Sequence, residues 1–385
     1  MADRSEGDEV RAALSVATGE GGARATIVAV RGSTDRRPGA RLVVPADENE
    51  PVVGNLSGGC VEGEVVAAAH AVLASGRPRL LHLDLAADDD VWGWGLGCAG
   101  AVEVLVEPAA GAASLVTAMA VVRETRQSVV VVTALDGAAA GGRLVVHHGG
   151  RREGSLEVDG AASLAAASLA DGRPPSVRVT RAGRLFVEVL DPPVRLVVCG
   201  GGADVDPLVE LAARLGWLVE TVGDRSPRPA VDGRTAVVVM SHHFGRDKDY
   251  LRSWLDAPLA YLGVLGPRTR FERLVAQLRG EGVAAGPAAV ARVHAPAGLD
   301  LGAEGPDEIA LAIVSEILAV HKGNSAGSLR ERPGPVHARS GRSERDEASP
   351  GIETAEVVGI GGHDRLLAGP GADHEVGDGV QEPSA

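Results

Sequence analysis

The first chemistry the sequence offers is a thiol set in glycines. In Gly54-Asn55-Leu56-Ser57-Gly58-Gly59-Cys60-Val61-Glu62, the glycines bring backbone close to whatever sits there and Cys60 follows at once. The apolar run Val65–Leu73, ended by Ser75-Gly76, reads as a helix with Cys60 on its first turn. Unpaired N–H groups and the positive dipole end favour an anion there, and a thiol of ordinary pKa near ~8.5 is lowered in such a place. The competing reading is a small buried hydrophobe in a glycine turn. A second thiol, Cys98, closes the glycine-rich loop Trp92-Gly93-Trp94-Gly95-Leu96-Gly97-Cys98 between two strands. Upstream, Arg31–Ala40 combines hydroxyls, glycines and the guanidinium groups of Arg31, Arg36 and Arg37. Such a segment suits phosphate, and reads equally well as a solvated hairpin loop.

A different chemistry stands in the second half. Arg195–Cys199 reads as a short buried strand, followed by Gly200-Gly201-Gly202, a helix over Pro207–Leu215 and a strand at Trp217–Val222 with Asp224 at its end. A glycine-rich turn in a βαβ unit with an acidic residue about 20 positions on suits a dinucleotide. Val205 departs from that pattern where Gly or Ala is expected, and mononucleotide folds share the architecture, so nicotinamide does not follow. Further strands at Ala236–Met240 and Tyr261–Gly266 would bring Gly200, Gly202, Asp224, His242, His243 and Arg268 to one crevice. The histidine pair could serve as ligand, base or cap. Cys199 reads as core packing, and His147-His148 as solvent-exposed rather than metal-binding.

These residues need elements to hold them. Strands are predicted at Ala25–Val30, Arg41–Val44, Arg79–Leu85 and Ala101–Glu107, then a helix over 110–127 and strands at Ser128–Ala134, Arg143–His147 and Leu185–Leu190. The last ordered element is an amphipathic helix, Pro306–His321, with an acidic first turn. Four segments follow: a flexible start over 1–22 with room for a short helix around Val10–Ala17, a mixed α/β domain over 23–191, a Rossmann-like parallel-sheet domain over 192–323, and a disordered tail over 324–385 rich in Gly, Ser, Pro, Arg and Glu. The fold class is α/β.

Composition narrows the function. A formal net charge of −14 argues against nucleic acid and membrane surfaces as partners. Three cysteines without CxxC spacing argue against a disulfide framework or structural zinc. No apolar run approaches ~18 residues, so no membrane helix is expected. The acidic start does not read as a signal peptide. A cytoplasmic, soluble protein is the expectation.

Several separated segments resemble the XdhC/CoxI family of accessory proteins for molybdenum hydroxylases. They are Arg31-Gly32-Ser33-Thr34 with Arg36–Ala40, the Gly54–Glu62 stretch, and Gly95-Leu96-Gly97-Cys98 with Val102–Pro108. In the second half they are the Gly200–Leu208 turn, Met240-Ser241-His242, Tyr261–Arg268 and Gly298–Glu304. The resemblance implies a chaperone, usually dimeric, that binds molybdenum cofactor (molybdopterin), protects it, supports its sulfuration and inserts it into an apo-hydroxylase. It also implies a cysteine desulfurase and cofactor-maturation proteins as partners. On that reading the cargo is met by Arg37, Ser57, Gly58, Gly59, Cys60, Glu62 and Cys98 in the first domain. Gly200, Gly202, Asp224, His242 and Arg268 meet it in the second, and Cys60 approaches the molybdenum. The family's histidine in the glycine-rich turn is replaced by Ala203-Asp204.

Two other functions stay open on the residues alone. One is an NAD(P)-dependent oxidoreductase using the crevice, with His242 or His243 as acid/base. The other is a thiol-based redox or metal regulator.

Overall fold

The computed structural model describes residues 5–32, 34–59, 61–84, 100–172, 174–223 and 226–331. Within them lie three five-stranded sheets. The first is built from β1 (Gly22–Gly32), β2 (Arg41–Pro45), β3 (Val53–Gly54), β4 (Arg79–Asp84) and β5 (Gly100–Pro108), in the order β3-β2-β1-β5-β4 and antiparallel throughout. Helix α1 (Glu6–Glu20) precedes it and α2 (Glu62–Ser75) joins β3 to β4. The flexible start expected over 1–22 is corrected: Ser5 caps α1 by accepting from the Asp8 N–H, and Val10, Leu14 and Ala17 are buried. The polar composition of that segment belongs to the outer face of an amphipathic helix.

The second sheet occupies the stretch whose weak pattern reads as a mere remainder of the first domain. It is a complete antiparallel sheet of β6 (Val129–Ala134), β7 (Arg143–His147), β8 (Arg152–Gly154), β9 (Ser176–Thr180) and β10 (Gly183–Leu190), in the order β8-β7-β6-β10-β9. Helix α3 (Ala113–Thr125) leads into it and α4 (Ala161–Asp171) joins β8 to β9. Val129-Val130-Val131-Val132 is apolar at every position because both faces are covered. Val130 and Val132 pack toward α4, while Val129 and Val131 meet α1 and α3.

The two antiparallel sheets meet face to face. Val28 and Leu105 of the first side pack against Leu135 and Phe186 of the second. Around this plug run buried ion pairs: Arg41 with Glu188, and Glu107 with both Arg24 and Arg143. Burial alone would push the Glu107 carboxyl up; the two guanidinium groups outweigh it and hold it below its ordinary range. Arg143 is pushed down to about 10, by burial and then by the neighbouring Arg24. His147, expected in solvent, is buried, with Nε2 3.2 Å from the Glu153 carboxylate; the β7–β8 hairpin folds over it.

The third sheet is parallel, in the order β12-β11-β13-β14-β15, from β11 (Arg195–Cys199), β12 (Leu218–Val222), β13 (Thr235–Val239), β14 (Tyr261–Val264) and β15 (Val293–His294). Helices α5 (Val205–Arg214) and α9 (Pro306–Lys322) cover one face, where Leu208, Ala212, Ile313 and Ile317 meet Val198 and Val238. Helices α6 (Phe244–Trp254) and α7 (Arg268–Gly280) cover the other, and α8 (Pro287–Ala291) leads into β15. The order reverses between β11 and β13, and that switch point is where such sheets take ligands. This lobe is tied to the rest by Arg126, whose Nε lies 2.6 Å from Asp232 and whose Nη1 donates to the Pro193 carbonyl. No helix among the described residues is long and apolar enough to cross a membrane. The tail expected beyond 324 lies outside the described residues after Glu331.

Candidate functional site

The glycine–thiol loop is built around one carboxylate. Glu62, the first residue of α2, turns back over the loop that precedes it. Its Oε1 accepts from the backbone N–H of Leu56 and Ser57, at 3.0 and 2.9 Å. Its Oε2 accepts from the Ser57 hydroxyl and from the N–H of Gly59 and Val61, at 2.7, 3.0 and 3.1 Å. Asn55 Oδ1 takes the Gly58 N–H, and Ser57 Oγ also accepts from Val61. Partial burial pushes the Glu62 carboxyl up, but the Ser57 hydroxyl and the backbone donors outweigh it, so it sits below its ordinary range.

This arrangement corrects two expectations. Helix α2 begins at Glu62, with Val61 as its N-cap, so Cys60 precedes the first turn. The loop amides expected to favour an anion beside Cys60 are taken at Leu56, Ser57, Gly59 and Val61 by Glu62, which acts as the loop's own anion, and at Gly58 by Asn55. Glu62 is therefore a scaffold for the site. The spacing carries one signal for that role: an acidic residue entering a helix three positions after a glycine pair can reach back to the preceding N–H groups.

The glycines differ in what they do. Gly54 has φ 103°, and a Cβ there would run into the Arg41 carbonyl and lie 2.9 Å from Val10 Cγ2. Gly58 and Gly59 also have positive φ, 78° and 116°, but a Cβ on either would meet nothing within 4 Å among the described residues. Cys60 and Cys98 lie outside the described residues.

In the arginine segment, Arg36 is committed to Glu6 through two hydrogen bonds of 3.1 and 2.6 Å, and Arg37 is half-buried. Arg31, exposed at the end of β1, has no ion partner among the described residues.

The second group gathers at the carboxyl end of the parallel sheet. Gly200 follows β11 with φ 150°, and a Cβ there would lie 2.6 Å from the Met240 carbonyl oxygen, so glycine lets the two loops touch. His242 follows β13 with φ 55°, in the left-handed region that few side chains adopt. Its neighbours impose that conformation. Ser241 donates through N–H and Oγ to the buried Asp247, which Arg270 holds in turn, and His243 caps α6 by accepting from the Arg246 N–H. The result is an exposed imidazole whose Nε2 lies 2.9 Å from Asp204 Oδ2. Asp204, where the sequence showed only a departure, is thus the partner of His242 across the switch point. Gly202 and the exposed Arg268, first residue of α7, lie on the same rim, while Asp224 lies outside the described residues. Val205 is buried, so the helix packs on the strand without a third glycine.

Cys199 takes no part. It is buried under α6 and its thiol is pushed up to about 12, chiefly by desolvation. Among the described residues no group of three or more His, Cys, Asp or Glu side chains could hold a metal ion.

Known proteins resemble this chain in sequence and fold. Residues 15–84 match the model of the XdhC and CoxI family, and residues 196–317 that of the XdhC Rossmann domain. A probable xanthine dehydrogenase subunit of Bacillus subtilis is 28% identical over 323 residues, covering 77% of this chain and 92% of that one. The molybdenum cofactor insertion chaperone PaoD of Escherichia coli is 24% identical over 307 residues, covering 79% of this chain and 84% of PaoD. A crystal structure of a xanthine dehydrogenase from Bacillus halodurans superposes with a TM-score of 0.69 at 26% identity, covering 84% of this chain and 98% of the other. With residues 15–84 and 196–317 both matched, the chain is similar to the XdhC and CoxI family in its first sheet and in its parallel lobe.

Proposed function

We propose that the chain is an accessory protein of molybdenum hydroxylases, which binds molybdenum cofactor as cargo, supports its sulfuration and delivers it to an apo-enzyme. One observation carries the position of the cargo site. The connections bearing the arginine segment, the Cys60 loop and residues 85–99 all leave the first sheet at the same end: Gly32 pairs with Gly100, Leu42 with Gly54, and Asp84 with Ala101. Loops gathered at one end of a rigid sheet are where binding residues collect. Thiols are soft donors suited to molybdenum, so Cys60 and Cys98 are assigned to the metal end of the cargo.

The phosphate of the cofactor needs donors that Glu62 has not taken. Arg31 brings to that end a guanidinium with no ion partner among the described residues, and no described residue packs within 4 Å over Gly58 or Gly59, which leaves room on that side for a bulky group. The crevice between Gly200 and His242 is assigned to the pterin or nucleotide part. A relative named as a molybdenum cofactor insertion chaperone supports the cargo, and relatives named for xanthine dehydrogenase support the client. A cysteine desulfurase and cofactor-maturation proteins complete the proposed partners, and the working form is proposed as a homodimer.

The test is co-purification from a host that makes the cofactor, with molybdenum measured by mass spectrometry and pterin by fluorescence after oxidation. Wild type should carry both, and Cys60→Ala should lose most of the metal. A wild type that carries neither removes the carrier role. If Cys60→Ala and Cys98→Ala carry and transfer cofactor as wild type does, the thiols have no part in it.

A further inference from the structure

The faces on which the first two sheets meet carry more positive charge than negative. Residues two apart on a strand share a face. On β1 that face holds Arg24, Thr26 and Val28, because Val28 joins the plug with Leu135 and Phe186 while Ala23, Ala25 and Ile27 pack toward α2. On β5 it holds Leu105 and Glu107, which stand opposite Thr26 and Arg24. The second sheet contributes Arg143 from β7 and Glu188 from β10, and Arg41 of β2 reaches Glu188 from the first.

Most of these charges are matched. Arg41 Nη2 lies 2.6 and 2.5 Å from the two oxygens of Glu188, one cation to one anion. Arg184 and Glu103, which also join the two sheets, are likewise one to one. At Glu107 the ratio differs: Arg24 and Arg143 both meet its Oε1, and all three side chains are 3% exposed. Among the described residues, one guanidinium of this group therefore has no anion of its own. It stays charged, since a guanidinium does not give up its proton in a protein. Arg143, pushed down to about 10, is still protonated at neutral pH.

The same group has donors to spare. Arg24 Nε and Nη1, Arg143 Nε and the Thr26 hydroxyl are buried with no hydrogen-bond partner among the described residues. Arg143 Nη1 is already placed, donating to the Gly111 carbonyl. Buried polar groups of a native protein are satisfied, and a buried charge persists only when it is paired. Water would satisfy the donors and leave the positive charge. A divalent anion would satisfy them and leave a negative one. A monovalent anion does both at once. We propose that Arg24 binds a small monovalent inorganic anion, of the size and charge of chloride, between the first two sheets, with Thr26 Oγ and Arg143 Nε as its further donors. Such an ion is part of the fold rather than cargo. Its donors are buried and come from both sheets, so it ties them together where Arg24 and Arg143 would otherwise repel. The site stands apart from the carrier role proposed above and does not depend on it.

The test is a series of urea melts of the full chain at constant sodium, with chloride replacing gluconate, an anion too bulky for a buried site. An ion bound by the native state alone lowers the unfolding constant by up to about tenfold for each tenfold rise in its concentration. Wild type should show that dependence between about 5 and about 500 mM chloride. Arg24→Met leaves Glu107 matched with Arg143 alone and should lose it, so the comparison also subtracts the general effect of exchanging the salts. Crystals of wild type soaked in bromide should give an anomalous peak beside Arg24. A wild type indifferent to chloride, a variant that responds as wild type does, or bromide bound elsewhere but not at Arg24 would each overturn the site. If Arg24→Met does not fold, wild type decides alone: chloride dependence together with the bromide peak upholds the site, and the absence of either overturns it.

Discussion

Replacing Glu62 with alanine should unfold the Cys60 loop before anything else, and the size of the effect can be worked out. Five donors point at this carboxylate. On its loss the exposed Gly59 N–H turns to water, and Val61 keeps Ser57 Oγ as acceptor. The N–H groups of the buried Leu56 and Ser57 lose their carboxylate acceptor. At about 1–3 kcal/mol for each of these two buried donors, the loss is about 2–6 kcal/mol. At roughly 2–4 °C per kcal/mol for a domain of this class, Tm falls on the order of 5–25 °C. Glu62→Gln keeps an oxygen for Leu56 and Ser57 and should cost only about 1 kcal/mol. The carboxyl sits below its ordinary range in the folded state, so its contribution is present above the unfolded value near about 4.3. It is lost as pH falls through the lower folded value. The gap between wild type and Glu62→Gln should therefore be constant from pH 6 to 8 and close in acid. Urea melts of the three chains at two pH values read both effects. Alanine and wild type agreeing within about 0.5 kcal/mol, or glutamine costing as much as alanine, would refute the argument.

Gly54→Ala should cost several kcal/mol, because both backbone conformation and the Arg41 carbonyl oppose it, whereas Gly58→Ala should cost only the ~1–2 kcal/mol of its left-handed backbone; thermal melts compare them directly. Glu107→Gln leaves Arg24 and Arg143 buried without their counter-ion, and a loss of about 3–5 kcal/mol is expected by chemical denaturation. His242→Gly should leave stability unchanged or raise it by about 1 kcal/mol by relieving φ 55°, while weakening whatever the crevice binds. Cys199 should resist Ellman's reagent in the native chain and react on denaturation, since its thiol is pushed up to about 12; a native count that includes Cys199 would contradict its burial.

Much of this was legible because period and punctuation agree in the parallel lobe. Arg195–Cys199, Gly200–Gly202 and Pro306–Lys322 announce strand, turn and helix by apolar runs, glycine and an acidic first turn. Three strands of the second antiparallel sheet, at Ser128–Ala134, Arg143–His147 and Leu185–Leu190, were legible, but the sheet they form was not, because its edge strands Arg152–Gly154 and Ser176–Thr180 are short and of mixed composition. At the thiol loop the residue types were readable but the direction of the chemistry was not. Glycines before a helix promise free amides, and only the folded loop shows that Glu62 has taken them. Asp204 was hidden for a related reason: its partner His242 is 38 positions away and turned toward it by a backbone conformation that sequence does not display.

The two candidate regions are held in different ways, and the difference bears on how a carrier could release its cargo. At the crevice, His242 is fixed from beneath by Ser241, Asp247 and Arg270, a chain of hydrogen bonds anchored in the buried carboxylate of Asp247. At the thiol end, the loop is held mainly by one partly exposed carboxylate, helped by Asn55 and Ser57, and no described residue packs within 4 Å over Gly58 or Gly59. A site braced by a buried network keeps its shape when the ligand leaves, while a loop held by a single group opens when that group is drawn away. The firm grip is therefore expected at the crevice and the hand-over at the thiol loop, where a basic side chain of a client protein approaching Glu62 would compete with the five donors it now holds together.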